Sequence, residues 1–134
     1  MRKQINKRRS DNQEHREQVE VIRWADSQVE THPEFAFLFA IANAGAGAQS
    51  GQAGKMKAEG VRPGVPDLCL PVPRGVYHGL YIEMKQATAG TTSGVQRAWH
   101  EFLKRQGFYM ATAHGADIAK QILTTYIGMG PFHA

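Results

Sequence analysis

The sequence predicts an α/β domain in which helices flank a mixed central β-sheet. Apolar residues recur at helical spacing near both ends of the chain, and short apolar segments typical of strands lie between them. The predicted order is helix, three strands, helix, strand, helix. Three strands before a crossover helix indicate a sheet with both antiparallel and parallel neighbours.

The length of 134 residues suits one domain, and 42% hydrophobic residues suffice for a compact core. We expect residues 1–10 to be a basic, flexible N-terminal tail and residues 11–134 to be the domain. No apolar run is long enough for a membrane span, and no secretory signal is recognisable. The single cysteine, Cys69, excludes an internal disulfide, so we expect a cytoplasmic protein with no membrane partner.

The net charge of +4 belongs mainly to the predicted tail. Residues 1–10 hold five of the sixteen basic side chains, which leaves eleven basic against twelve acidic side chains in residues 11–134. A basic arm of this kind either adds phosphate affinity that is independent of sequence or only improves solubility. The composition leaves both alternatives open.

The first helix is predicted from about Asp11 to Glu30. Ser10 and Gln13 have the spacing of a capping box, and Pro33 follows the end of the helix. The predicted inward stripe turns polar toward the N-terminus, which indicates a face that leaves the core and enters a cleft. This stripe consists of Glu14, Gln18, Ile22, Ala25 and Val29.

The middle of the chain alternates between apolar and flexible segments. The aromatic segment Phe35–Ile41 predicts a buried strand, and the Gly/Ala-rich stretch Asn43–Gly54 predicts a loop. A short helix over Gln52–Glu59 would end before Gly60. The next two strands are predicted at Asp67–Leu70 and Leu80–Lys85, on either side of a proline-containing loop.

The last third of the chain predicts helix, strand and helix. Ser93 and Gln96 can form a capping box, and Gly107 would end the helix that they begin. A strand over Phe108–Ala113 and a helix over Ala116–Ile127 follow. The predicted buried stripes of the two helices are Val95, Trp99, Phe102 and Gln106 in the first, and Ile118, Ile122 and Tyr126 in the second.

Charged side chains are predicted to meet where the strand Asp67–Leu70 pairs with the strand Leu80–Lys85. Because side chains alternate along a strand, Glu83 and Lys85 share one face while Met84 points away. Asp67, at the start of the neighbouring strand, would lie beside Glu83. Hard cations such as Mg²⁺ take carboxylate oxygens, so the pattern predicts a metal site suited to phosphodiester hydrolysis. The alternatives are a Pro-Asp turn and an exposed, weak ion pair between Glu83 and Lys85.

Several stretches, in order, resemble the VRR-NUC domain, a branch of the PD-(D/E)xK nuclease superfamily with the restriction-endonuclease-like fold. The resemblance is to stand-alone domains of the type common in bacteriophages, and it runs from about residue 14 to residue 127. The matching stretches are Glu14-x₃-Gln18-x₅-Trp24, Ile41-Ala42-Asn43, residues 57–68, residues 79–85 and Gln96-x₂-Trp99. Together these stretches are more specific than any one of them.

The resemblance implies a ligand set for one or two Mg²⁺ or Mn²⁺ ions. Asp67 and Glu83 would be the metal ligands, helped by the backbone carbonyl of Met84. Glu14 would approach the metal from the first helix, directly or through water. A glutamate in a first helical turn is also favoured by the helix dipole, and Glu17 is a rival from the next face.

The resemblance also implies roles for cationic and amide side chains. Lys85 would position or activate the attacking water, and Gln96 would orient Lys85 or the phosphate. The capping box alone would explain a glutamine at position 96. Four basic residues could line a phosphate groove, although a solvated surface explains each one equally well. They are Lys55, Lys57, Arg62 and Arg97.

The implied function is a metal-dependent endonuclease that acts on branched or duplex DNA as a homodimer, in a bacterial host cell if the chain is phage-encoded. One segment departs from the family: after Asn43 many relatives place two glycines and an arginine, whereas Ala44-Gly45-Ala46-Gly47-Ala48 follows here. One alternative is a non-catalytic DNA-binding module with the same fold. Another is a hydrolase of small phosphate esters, although His100 and the other histidines lack the spacing of a metal cluster.

Overall fold

The structure is a computed structural model that describes the backbone of residues 2–43, 50–86 and 91–134, and the side chains of residues 12–43, 52–86 and 91–134. The helices are α1 (Arg2–Ser27), α2 (Ser50–Ala58), α3 (Gly94–Arg105) and α4 (Ala116–Ile127). The strands are β1 (Phe39–Ala40), β2 (Leu68–Leu70), β3 (Leu80–Lys85) and β4 (Tyr109–His114). Within the described ranges, no helix is long and apolar enough to cross a membrane.

The four strands form one mixed sheet in the order β1-β2-β3-β4. Strand β2 pairs antiparallel with both β1 and β3, and β3 pairs parallel with β4. Helix α3 is the crossover between the two parallel strands, since parallel neighbours need a connection that returns to the same end of the sheet. The predicted α/β architecture with a mixed sheet is confirmed.

The hydrophobic core lies on one face of this sheet, where α1 and α4 pack. Alternating residues of β2 and β3 point into it, and α1 adds Val21 and Ala25. The residues of β2 and β3 in this core are Leu68, Leu70, Leu80, Ile82 and Met84. The side chains between them, including Glu83 and Lys85, therefore belong to the opposite face.

Helix α1 begins at Arg2, not at Asp11. Ser10 lies inside the helix and is not its N-cap, because the Lys, Arg and Gln residues before it are good helix formers that continue the helix. The boundary predicted after residue 10 therefore falls within a helix. Among residues 12–27 of α1, Val21 and Ala25 are buried, whereas Ile22 is only half-buried, so the predicted stripe is partly displaced.

The predicted buried strand over Phe35–Ile41 is mostly wrong. Residues 33–37 form a 3₁₀ helix, and only Phe39–Ala40 pairs with the sheet. Strand β2 is three residues long and offers little edge to pair with, so Phe37 stays 67% exposed while Phe35 is buried. Residues 44–49, which hold the departure from the family, lie outside the described residues, and α2 begins at Ser50.

The capping box of α3 is confirmed, but its predicted buried stripe is wrong. The Ser93 hydroxyl accepts the Gln96 backbone N–H, and the Gln96 side chain accepts the Ser93 N–H. Val95 and Phe102 are 50% and 48% exposed, whereas His100 and Leu103 are buried. The reason is that α3 covers the face of β3 that carries its charged side chains. In α4, which has its predicted bounds, Tyr126 is buried as predicted and Ile122 is half-buried, but Ile118 is exposed, and Ala119 and Leu123 are buried instead.

The segment before β2 packs closely against the start of α3. The Trp99 indole N–H donates to the carbonyl of Pro63 at 3.1 Å. Gly64 has a φ of +82°, and a Cβ there would collide with the Val95 side chain and lie 3.1 Å from the Gln96 nitrogen. A glycine is needed at this position for both its conformation and its close approach. The contact ties the start of β2 to the capped end of α3.

We expect Gly64→Ala to destabilise the protein more than Gly60→Ala. Both glycines have positive φ, but a Cβ at Gly60 meets nothing within 4 Å. Both variants carry the left-handed cost of about 1–2 kcal/mol, and only Gly64→Ala adds overpacking of about 1–3 kcal/mol. Urea denaturation measures the difference in the free energy of unfolding. Equal losses in the two variants would contradict the close packing of this segment.

Candidate active site

The pairing of β2 with β3 brings two carboxyl groups together. Leu68 is aligned with Ile82, so Asp67, one residue before β2, lies opposite Glu83. The Asp67 carboxylate accepts the Met84 backbone N–H at 2.7 Å, and it lies close enough to Glu83 for hydrogen bonding and charge to raise the Glu83 pKa. The predicted neighbourhood of Asp67 and Glu83 is present in the structure.

Glu83 is a buried acid whose ionisation is strongly disfavoured. Its surface is only 2% exposed. Burial is the largest cause that raises the Glu83 pKa, followed by the hydrogen bond and the charge of Asp67, while Lys85 lowers it. The resulting pKa is about 9. A carboxyl group in this position takes up either a proton or a cation at neutral pH.

Lys85 is held over the same face by Gln96. The Lys85 side chain is buried, at 8% exposure, and its Nζ donates to the Gln96 Oε1 at 3.0 Å. The same Oε1 accepts the Ser93 N–H at 3.0 Å, so the capping box fixes the orientation of the amide. The sequence left open whether Gln96 caps the helix or contacts Lys85. In the structure, Gln96 does both.

Glu14 of α1 lies near enough to this group for its charge to raise the pKa of Glu83. Glu17, the rival position, does not act on Glu83 in this way. Its Oε2 is buried and has no hydrogen-bond partner in the described part of the chain. The structure thus favours Glu14 over Glu17 as the acidic residue that α1 brings toward Asp67 and Glu83.

His100 also contacts this group, and sequence reasoning missed it. Its Nε2 lies 3.5 Å from the Glu83 Oε1, and its side chain is buried. Burial lowers the His100 pKa, and the charges of Lys104 and Lys85 lower it further. The imidazole is therefore neutral at neutral pH, and the contact is not an ion pair. The sequence feature that could have identified His100 is its four-residue spacing from Gln96, which places both residues on the same helical face.

The four basic residues predicted to bind phosphate are all exposed. Lys55 and Lys57 belong to α2, Arg62 precedes β2, and Arg97 belongs to α3. The hydrogen bond from Trp99 to the carbonyl next to Arg62 holds that segment against α3, so Arg62 and Arg97 lie on adjoining segments. Both are thus placed beside the end of α3 that carries Gln96.

The donor atoms of the site suit a hard cation. No three His, Cys, Asp or Glu side chains among residues 12–43, 52–86 and 91–134 are arranged as a metal-binding group. The carboxylate pair of Asp67 and Glu83 nevertheless supplies oxygen donors, and the buried Glu83 Oε1 has no hydrogen-bond partner in these ranges. Mg²⁺ is commonly bound by one or two carboxylates and keeps several waters, so these residues fit such an ion.

Comparison with known proteins agrees with this geometry. The sequence matches the VRR-NUC domain family over residues 2–117. The chain belongs to the VRR-NUC family. A solved structure described as a "VRR_NUC domain protein" is 30% identical and has a TM-score of 0.77, over 90% of this chain and 93% of that chain. None of the curated proteins matches the chain. The VRR-NUC domain identifies the protein as one with a nuclease fold that processes DNA.

The raised pKa of Glu83 predicts that, without added cation, the VRR-NUC domain loses stability as the pH rises. The unfolded chain releases the Glu83 proton near pH 4.5 and the folded chain near 9. Between these values the folded state binds one more proton than the unfolded state. The contribution of Glu83 to the free energy of unfolding therefore falls by at most about 1.4 kcal/mol for each unit that the pH rises.

Glu83→Gln should flatten this dependence. Urea denaturation of both proteins in chelator between pH 7.5 and 8.5 measures it, because the His100 pKa is 6.5 in the unfolded chain and lower in the folded one, so this residue is mostly neutral in both states there. Parallel curves of stability against pH for the wild type and the variant would contradict the assigned pKa shift.

Proposed function

We propose that the protein is a metal-dependent DNA endonuclease that hydrolyses phosphodiester bonds, with branched DNA such as four-way junctions as its preferred substrate. The observation that carries this proposal is that the half-buried Asp67 and the buried Glu83 lie beside a buried lysine that Gln96 holds in place. A carboxyl group buried beside a second carboxylate costs stability, and both repel phosphate, so a surface that only binds DNA gains nothing from this pair. Membership in a nuclease family supports the same conclusion.

Asp67 and Glu83 would hold Mg²⁺ or Mn²⁺, with the Met84 carbonyl and Glu14 as further oxygen donors. When bound, such an ion polarises the scissile phosphate and lowers the pKa of water. Asp67 is prepared for this role because the Met84 N–H fixes one of its oxygens. Glu83 gives up its proton when it binds a cation, which relieves the cost of its burial beside Asp67.

Lys85 would direct the attacking water in line with the scissile bond or stabilise negative charge that develops on the phosphate. Its ammonium group is buried, where charge interactions are stronger than in water. The bond to Gln96 restricts its position, so Gln96 acts through Lys85. The products would be a 5′-phosphate and a 3′-hydroxyl.

A homodimer would suit this substrate, because two sites can make paired cuts across a four-way junction. Lys55, Lys57, Arg62 and Arg97 would bind backbone phosphates of the DNA. The exposed positions of Arg62 and Arg97 on adjoining segments support a phosphate-binding surface next to Gln96. Sequence-independent contacts of this kind fit an enzyme that selects the structure of DNA.

Asp67→Asn, Glu83→Gln and Lys85→Ala should each reduce cleavage of a four-way junction by about 10²- to 10⁴-fold, because each removes a group that acts on the reacting phosphate or water. Folding and DNA affinity should be retained, and Gln96→Ala should have a milder effect. Gel assays in Mg²⁺ and in Mn²⁺ measure the rates, with Arg105→Ala, an exposed change at the far end of α3, as the control. Wild-type rates in any of the three variants would contradict that residue's role.

Cleavage profiling distinguishes the endonuclease from a non-catalytic DNA-binding module. Junctions, flaps, nicked duplexes and linear duplexes are tested with each metal and then with chelator. The proposal expects cutting that depends on metal and is fastest on junctions. Binding without cutting of any form would favour the module, whereas hydrolysis of mononucleotide esters alone would favour a small-phosphate hydrolase.

Arg62→Ala and Arg97→Ala should weaken DNA binding in an Asp67→Asn background, where cleavage does not interfere. Each lost phosphate contact should reduce the slope of log affinity against log salt by about one. Fluorescence anisotropy at several salt concentrations measures the slope, and Arg105→Ala again serves as the control. An unchanged slope in both variants would exclude these arginines from the phosphate-binding surface.

A further inference from the structure

Helix α3 makes two contacts with β3 on consecutive turns. Gln96 contacts Lys85 at 3.0 Å, and His100, four residues later, lies 3.5 Å from Glu83. Four residues of helix rise about 6 Å, and two residues of a strand rise about 6.6 Å. The two spacings match when the helix runs antiparallel to the strand. One face of α3 can therefore contact Lys85 and Glu83 at the same time.

The contact of His100 with Glu83 joins two polar atoms that make no regular hydrogen bond in the described ranges. The His100 Nε2 and the Glu83 Oε1 are buried, and neither has a hydrogen-bond partner in the described ranges. Unsatisfied buried polar atoms are costly and rare. The 3.5 Å that separate them is only slightly longer than an N–H···O hydrogen bond, so a small movement of either side chain would complete it.

We propose that His100 is a positioning residue whose Nε2–H donates to the Glu83 Oε1 and orients this carboxylate toward the bound cation. The inference rests on the proposed metal-dependent function. Carboxylates that bind metals are commonly hydrogen-bonded by a second layer of residues, which raises metal affinity by fixing their direction.

The alternative is that the imidazole ring only fills space between α3 and the sheet. Two variants separate these roles. His100→Leu keeps an apolar side chain of similar size without a donor, whereas His100→Gln supplies an N–H donor at similar reach. His78→Leu is the matched control, since His78 bonds to the residue that caps the C-terminus of α3, through the Gln106 carbonyl at 2.8 Å, but contacts neither carboxylate.

Mn²⁺ binding to the DNA-free protein, measured by titration calorimetry, is the first test. His100→Leu should weaken Mn²⁺ binding by about 10- to 100-fold, while His100→Gln and His78→Leu stay within about threefold of the wild type. Cleavage assays should show the same shift in the metal concentration for half-maximal rate. Wild-type affinity in His100→Leu, or equal losses in His100→Leu and His100→Gln, would overturn the positioning role.

A second test uses the wild-type protein, so it does not depend on how the variants fold. In ¹⁵N spectra of the histidine rings, Mg²⁺ should shift the His100 signals and leave those of His78 unchanged. Unshifted His100 signals at saturating Mg²⁺ would overturn the inference and leave the metal site intact. Loss of Mn²⁺ binding in Asp67→Asn serves as the reference, and a wild-type protein that binds no Mn²⁺ would overturn both this inference and the proposed metal dependence.

Discussion

The antiparallel pairing of β2 with β3 is the constraint on which the site depends. It aligns Leu68 with Ile82 and therefore sets Asp67 opposite Glu83. The Met84 N–H then reaches the Asp67 carboxylate at 2.7 Å. A slip of one residue would turn the side chains of one strand to the other face, so that apolar residues would face α3 and charged ones the core. The core and the site thus require the same register.

Strand β3 alternates between two environments with opposite demands. Ile82 and Met84 enter the apolar core, while Glu83 and Lys85 face α3. Burying Glu83 beside another carboxylate disfavours its charge, and the charge of Lys85 offsets only part of this effect. Burial of the apolar side chains on the other face of the same strand offsets the free-energy cost of burying Glu83. The geometry of the site is therefore maintained by residues that do not belong to it.

Features that depend on neighbouring residues could be predicted from the sequence. Strand β3 and helix α4 have their predicted bounds, and the capping box of α3 forms between Ser93 and Gln96. Alternation along β3 also predicted the meeting of Asp67, Glu83 and Lys85. Features that depend on distant partners were less predictable. The segment Phe35–Ile41 has the composition of a strand, but its pairing is limited by the length of β2.

The buried face of α3 was predicted wrongly for a reason that concerns the site itself. The rule that the apolar stripe of a helix faces inward assumes an apolar partner. Helix α3 instead meets the charged face of β3, so Gln96 and His100 point inward while Val95 and Phe102 stay exposed. Local rules fail mainly at functional sites. A strand with Glu and Lys on one face requires polar side chains from the helix that covers it. When this requirement is applied to the sequence of α3, it selects two polar residues one helical turn apart, Gln96 and His100.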